Sequence, residues 1–146
     1  MPDGIHDNWL YAQTVDHERG RIVLHTVYPH VEPPAAPEWT DVVFEGVVAH
    51  HFQESRFWSG PDPACVLFDV EERDAVEVLG EYAGLLAECK DRGWPALRYD
   101  GLEDLAAQLL AGGARCFGVE GVCGIQGFVF ARSMEMRPRE GRAEVG

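Results

Sequence analysis

The sequence predicts an α+β fold: a mostly antiparallel sheet, elements in chain order ββββααββ, and two helices packed on one face. Three observations carry this expectation. Val, Ile, Thr, Phe and Tyr alternate with polar residues through the first half and again after position 115. Between those regions, from 74 to 110, apolar residues recur at helical spacing. Gly- and Pro-bearing stretches punctuate the segments.

The elements follow in order. Asn8 to Val15 reads as a strand, and His17-Glu18-Arg19-Gly20 as a polar turn closing a hairpin with Arg21 to Tyr28. Pro29 to Pro37 carries four prolines and reads as an extended loop, because proline lacks the donor a central strand needs. Thr40 to Phe52 is the strongest strand signal, and one strand is expected across all of it. Alternation puts Val42, Phe44, Val48, His50 and Phe52 on one face, with Val43, Glu45, Val47, Ala49 and His51 on the other. Both faces are largely apolar, as in a central strand, and Phe44 and Val48 are expected in the core. Gln53 to Pro63 is a second loop, and Cys65 to Val70 a short fourth strand. A meander is the simplest arrangement of these four.

Asp74-Ala-Val-Glu77 is a capping-box-like start for a helix whose stripe is Val78, Leu79, Tyr82, Leu85, Leu86 and Cys89. Lys90 and Arg92 suit its negative C-terminal end, and Gly93 and Pro95 stop it. Asp100, with Glu103 three residues on, opens a second helix with Leu102, Leu105, Leu109 and Leu110 as its stripe. Arg115 to Glu120 and Ile125 to Met136 then pair through Gly121-Val122-Cys123-Gly124. The density of Gly118, Gly121, Gly124 and Gly127 signals bulges or close backbone approach. One domain over 1–136 is expected, with a frayed polar tail over 137–146.

At 146 residues the chain can bury a core without a metal or disulfide. A composition of 46% hydrophobic and 25% charged residues is globular rather than disordered. No apolar run approaches the ~20 residues of a membrane span. The start, Met-Pro-Asp-Gly-Ile-His-Asp, lacks the pattern of a signal peptide, so a cytoplasmic location is expected. The net charge of −13, from 25 acidic against 12 basic residues, repels phosphate backbones and argues against nucleic-acid binding. The same field attracts and steers a basic partner.

Chemistry-bearing residues are sparse. The four cysteines, Cys65, Cys89, Cys116 and Cys123, form no C-x-x-C pair, and no Cys/His cluster has structural-zinc spacing. Cys116 and Cys123 could face each other across the final hairpin. His50 and His51 point to opposite faces of a strand, so a metal would need His25 or Cys65 from another strand; no metal and no cofactor is expected. His6-Asp7 has no elbow-like nucleophile to serve, and no catalytic residue is assigned. Asp69 ends an apolar strand, and Glu71, Glu72 and Asp74 follow it. These carboxylates suit a hard cation, general acid chemistry, or the positive start of a helix. Phe57-Trp58 in a polar loop is the best binding signal, since large aromatics anchor interfaces. The candidate binding residues are therefore Phe57, Trp58, Glu54, Asp69, Glu71 and Glu72.

Four short stretches resemble a set of small bacterial proteins, some of them immunity proteins of contact-dependent or polymorphic toxin systems. They are His6-Asp7-Asn8-Trp9-Leu10, Val15-Asp16, Phe44-Glu45-Gly46-Val47 and Leu67-Phe68-Asp69-Val70. The resemblance implies an α+β fold and a protein-binding role, and supplies no catalytic residues. The leading expectation is an acidic cytosolic domain that binds a basic protein partner, such as a toxin domain. Two other readings stay open. One is a small-molecule or metal-dependent enzyme with a pocket near the glycine-rich hairpin. The other is a structural subunit of a homo-oligomer.

Overall fold

A computed structural model describes residues 8–29, 31–54, 66–90, 92 and 98–144, with backbone alone at 66–68 and 122–123. The fold is α+β, as expected. Its strands are β1 (Trp9–Asp16), β2 (Arg21–Tyr28), β3 (Glu38–Glu45), β4 (Ala49–Glu54) and β5 (Val66–Glu72), followed after the helices by β6 (Arg115–Cys123), β7 (Ile125–Ala131) and β8 (Ser133–Arg139). All pairings are antiparallel, in the order β4-β7-β6-β5-β1-β2-β3-β8.

That ladder divides into two four-stranded sheets, β4-β7-β6-β5 and β1-β2-β3-β8, paired to each other at Trp9 opposite Val66. They lie face to face over one core, where Ile22, Leu24 and Phe44 from one meet Val70, Phe117 and Val129 from the other. The Phe44 and Phe117 rings are 5.8 Å apart.

The expected single strand over Thr40 to Phe52 is two strands, and Gly46 is the reason. Its φ of +66° is open to glycine at little cost, and the Arg132 side chain occupies the space a Cβ would need. The chain turns from one sheet into the other there, and the strand expected over Ile125 to Met136 likewise breaks at Arg132 into β7 and β8 at the same level. The Arg132 amide donates to the Glu45 carbonyl at 2.9 Å, and the Val48 amide to Phe130 at 2.8 Å. The turn shifts the alternation. Phe44 is fully buried as expected, but Val48 is 55% exposed and Val47 packs on the core instead. The meander holds for β1-β2-β3 only, because the corner sends β4 to β7 rather than to β5.

Three helices form where two were expected: α1 (Ala75–Glu81), α2 (Ala83–Lys90) and α3 (Gly101–Leu110). The first stripe breaks at Tyr82, between the poor helix formers Gly80 and Gly84. Its ring meets His51 at 5.5 Å and Phe128 at 5.2 Å, edge to face in both cases. Asp74 caps α1 as expected, its carboxylate accepting the Glu77 amide at 3.0 Å. Asp100 makes no side-chain cap; its own amide donates to Asp104 at 2.7 Å. Val78, Leu79, Leu86 and Leu105 form a second core with Phe128 and Phe130, on the face of β7 turned away from the first.

Residues 137–139, expected in a frayed tail, belong to β8, and Ala143 is buried with its amide donating to the Tyr11 hydroxyl at 2.8 Å. Cys116 and Cys123 cannot form a disulfide. They lie on the same strand, β6, seven residues and roughly 23 Å apart at ~3.3 Å per residue, far beyond the reach of an S–S bridge.

Candidate functional site

The carboxylates singled out in the sequence fall into separate groups. On β5, Asp69 lies opposite Glu120 of β6, and Glu71 opposite Gly118. Cross-strand partners share a face, so all three acids project on the helix side of that sheet. The space beside Gly118 is filled by the Arg73 side chain, whose Cδ is 2.7 Å from where a Cβ would sit. Arg73 in turn reaches α1, donating to Glu77 at 2.8 Å and to both carboxylate oxygens of Glu81. Those bonds, Glu81 foremost, hold its guanidinium pKa above the ordinary value. Burial raises the Tyr82 phenol, and the charges of Glu81, Arg73 and Glu120 all act on it. Glu77 and Glu81 therefore hold the one guanidinium, and Asp69, Glu71 and Glu120 project from the same side of the sheet. Asp69 faces Glu120 directly, a like-charge arrangement that costs stability in the isolated chain.

The other candidates lie apart from this face. Glu72 points the opposite way and pairs with Arg115 at 2.9 Å. Glu54, at the end of β4, accepts from Gln13 of β1. Phe57, Trp58, His6, Asp7 and Cys65 lie outside the described residues. Sequence reading missed Glu120, Glu77 and Glu81 as parts of one surface. The signal available for them was the strand register, which a sequence does not display.

His50 and His51 do project to opposite faces. His51 meets Tyr82 and Phe128, and its Nε2 is buried without a hydrogen-bond partner among the described residues. His50 stacks on His17 of the first turn at 6.3 Å, in a cleft of about 140 Å³ that includes Asp16, Arg21 and Val47. Burial lowers the His50 pKa, with His17 and His51 adding repulsion; burial alone lowers that of His51. Asp69 does not line this cleft. A second, more open groove of about 520 Å³ runs between the start of α1 and the start of β6, lined by Glu72, Arg73, Leu110, Arg115 and Cys116. Neither cavity is lined by the glycine-rich turn at 121–124. Burial pushes the Cys116 thiol up to about 12, which removes it as a nucleophile. Among the described residues no three His, Cys, Asp or Glu side chains converge as metal ligands. No described helix is long and apolar enough to cross a membrane.

The outer face of the β1-β2-β3-β8 sheet carries an array that the sequence did not display. Thr14 Oγ1 of β1 lies 2.9 Å from His25 Nε2 of β2. His25 Nδ1 lies 2.9 Å from Asp41 Oδ1 of β3. Arg139 of β8 donates to Asp41 Oδ2 at 3.0 Å. His25 and Asp41 are buried and Thr14 is exposed. Tyr11 packs beside His25 and edge-on to Trp39, with ring centroids 6.2 and 5.4 Å apart. Buried polar groups need partners, and here four strands supply them in a line. Comparison with protein-family models and with curated proteins finds no match.

Proposed function

We propose that this chain is an acidic, cytoplasmic binding domain of the immunity type, which neutralises a basic protein partner through the carboxylate face built by β5, β6 and α1. The observation that carries this reading is one face on which Asp69, Glu71 and Glu120 project from the sheet while the Arg73 guanidinium is already taken up by Glu77 and Glu81. Like charges held opposite each other weaken the free domain. A partner that brings Lys or Arg against them relieves the repulsion and gains steering from the net charge of −13. Residues 69–120 contain twelve acidic and five basic residues, so most of the excess charge lies in this part of the chain. The resemblance to immunity proteins, carried partly by Asp69, points the same way. Glu54, Glu72 and the Phe57-Trp58 pair are not needed for this surface.

The test begins with a pull-down from the source organism at low salt, followed by kinetics with the purified partner. Asp69→Lys combined with Glu120→Lys should slow association at least tenfold and flatten its salt dependence between ~0.01 and ~1 M, where the Debye length falls from ~30 to ~3 Å. Glu135→Lys combined with Glu140→Lys makes the same change in net charge on and beside β8, on the other sheet, and should have a much smaller effect. A partner that is not basic, or that responds equally to both pairs, would refute the assignment of the face.

A further inference from the structure

We infer that Thr14 is an activated hydroxyl that takes up an acyl group from activated esters, with His25 as its general base and Asp41 as the positioning residue. A serine or threonine hydroxyl is a weak nucleophile until a neighbouring base takes its proton. The geometry required is a hydroxyl-to-base hydrogen bond and a base-to-orienter hydrogen bond. Both are present, at 2.9 Å each.

The protonation pattern follows from the partners. Asp41 accepts from Arg139, and an ionised carboxylate only accepts. The neutral His25 ring therefore carries its proton on Nδ1, facing Asp41, and turns the Nε2 lone pair toward Thr14. Arrays of this kind are recognised by geometry and role rather than by sequence position. Here three adjacent strands supply one member each, and Thr14 is open to solvent. The Tyr11 ring beside the base is already covered by the Arg142 guanidinium at 4.4 Å and packed on Trp39, so the leaving group must be labile enough to depart without a dedicated subsite. The substrate class is therefore an activated carboxylic ester, of which an aryl ester is the simplest case.

The step balances within the pair. Thr14 Oγ1 bonds to the ester carbonyl carbon as its proton passes to His25 Nε2. The tetrahedral adduct collapses, the bond from that carbon to the aromatic oxygen breaks, and the leaving phenolate takes the electron pair. The imidazolium releases its proton to the phenolate or to solvent. The acyl group remains on Thr14.

The probe is p-nitrophenyl acetate with the intact protein at mildly alkaline pH, read by peptide mapping for the acetyl group and by the rate at which it appears. Thr14 should be acetylated faster than the exposed hydroxyl of Ser133, which has no such base among the described residues. Thr14→Ser should retain the reaction, and Thr14→Val, at an exposed position, should remove it from that peptide. His25→Gln should slow acetylation of Thr14 about a hundredfold, the scale of general base catalysis. Asp41→Asn should also slow it, because an amide nitrogen facing Nδ1 favours the opposite tautomer. An array that only satisfies buried groups would leave Thr14 as slow as Ser133. That result, or an unchanged rate in His25→Gln protein that retains its circular dichroism, would overturn the inference.

Discussion

Replacing Gly127 with alanine tests the packing of β4 on β7 directly. Gly127 does not have a positive φ, so the effect is steric. An added Cβ would lie 2.0 Å from the His51 carbonyl oxygen and 2.9 Å from the Phe52 Cα, both backbone atoms of β4. A carbon–oxygen contact needs ~3.3 Å, so β4 must retreat by more than ~1 Å. That exceeds the tolerance of N–H···O bonds, whose useful range is only ~0.5 Å wide. The β4–β7 ladder spans Ala49 opposite Phe130 to Glu54 opposite Ile125. Losing two or three of its bonds costs ~1 kcal/mol each, and loosening Phe52 from the core adds ~1–2 kcal/mol. The expected loss is ~3–5 kcal/mol, a large part of the ~5–15 kcal/mol that holds a domain together. Gly80→Ala is the internal control. Beyond its own helical turn no described atom lies within 4 Å of its added Cβ, so that change should stabilise α1 by ~0.5–1 kcal/mol. Urea unfolding measures both, and amide exchange localises the damage to β4. A loss below ~1 kcal/mol for Gly127→Ala would mean that β4 does not cross β7 at this register.

Three further outcomes are expected. Because burial lowers the folded-state pKa of His50 and His51 below 6.5, the unfolded chain binds protons first as pH falls; stability should drop on acidification from about pH 7.5 to 5.5, and His50→Gln should flatten that slope in urea midpoints. Cys116, with its thiol pushed up to about 12, should resist iodoacetamide in the native protein and react after denaturation, as peptide mapping would show. Gly118→Ala should displace Arg73 from β6, cost ~1–2 kcal/mol by thermal unfolding, and alter partner binding if the carboxylate face is the binding surface.

Local pattern decided much of the fold. Arg21 to Tyr28 is a strand at the residues expected, because β-branched and aromatic side chains suit a half-buried pleat. Asp74 caps its helix as expected, since the cap depends only on a bond to a residue three positions on. The glycines at 118 and 127 were legible as places of close approach, and Arg73 and β4 are what approach them. Less legible was the corner at Gly46. One glycine within a strong strand pattern does not reveal that the two sides of it join different sheets. The expectation for Val48 failed for that reason, while Phe44, on the near side of the corner, met it.

By itself, then, the sequence determined the class of fold, the extents of β1 and β2 to within a residue, the start of the first helix and the net acidity of the chain. Each follows from neighbours in the chain or from a sum over it. Tertiary structure alone decided which strands pair across long separations, and so which side chains converge. Thr14, His25, Asp41 and Arg139 form one hydrogen-bonded line only because β1, β2, β3 and β8 lie side by side. Asp69 and Glu120, fifty-one positions apart in sequence, face each other only through the register of β5 on β6. Register is set by the fit of two buried faces against each other, a property of the packed sheets that no single segment carries.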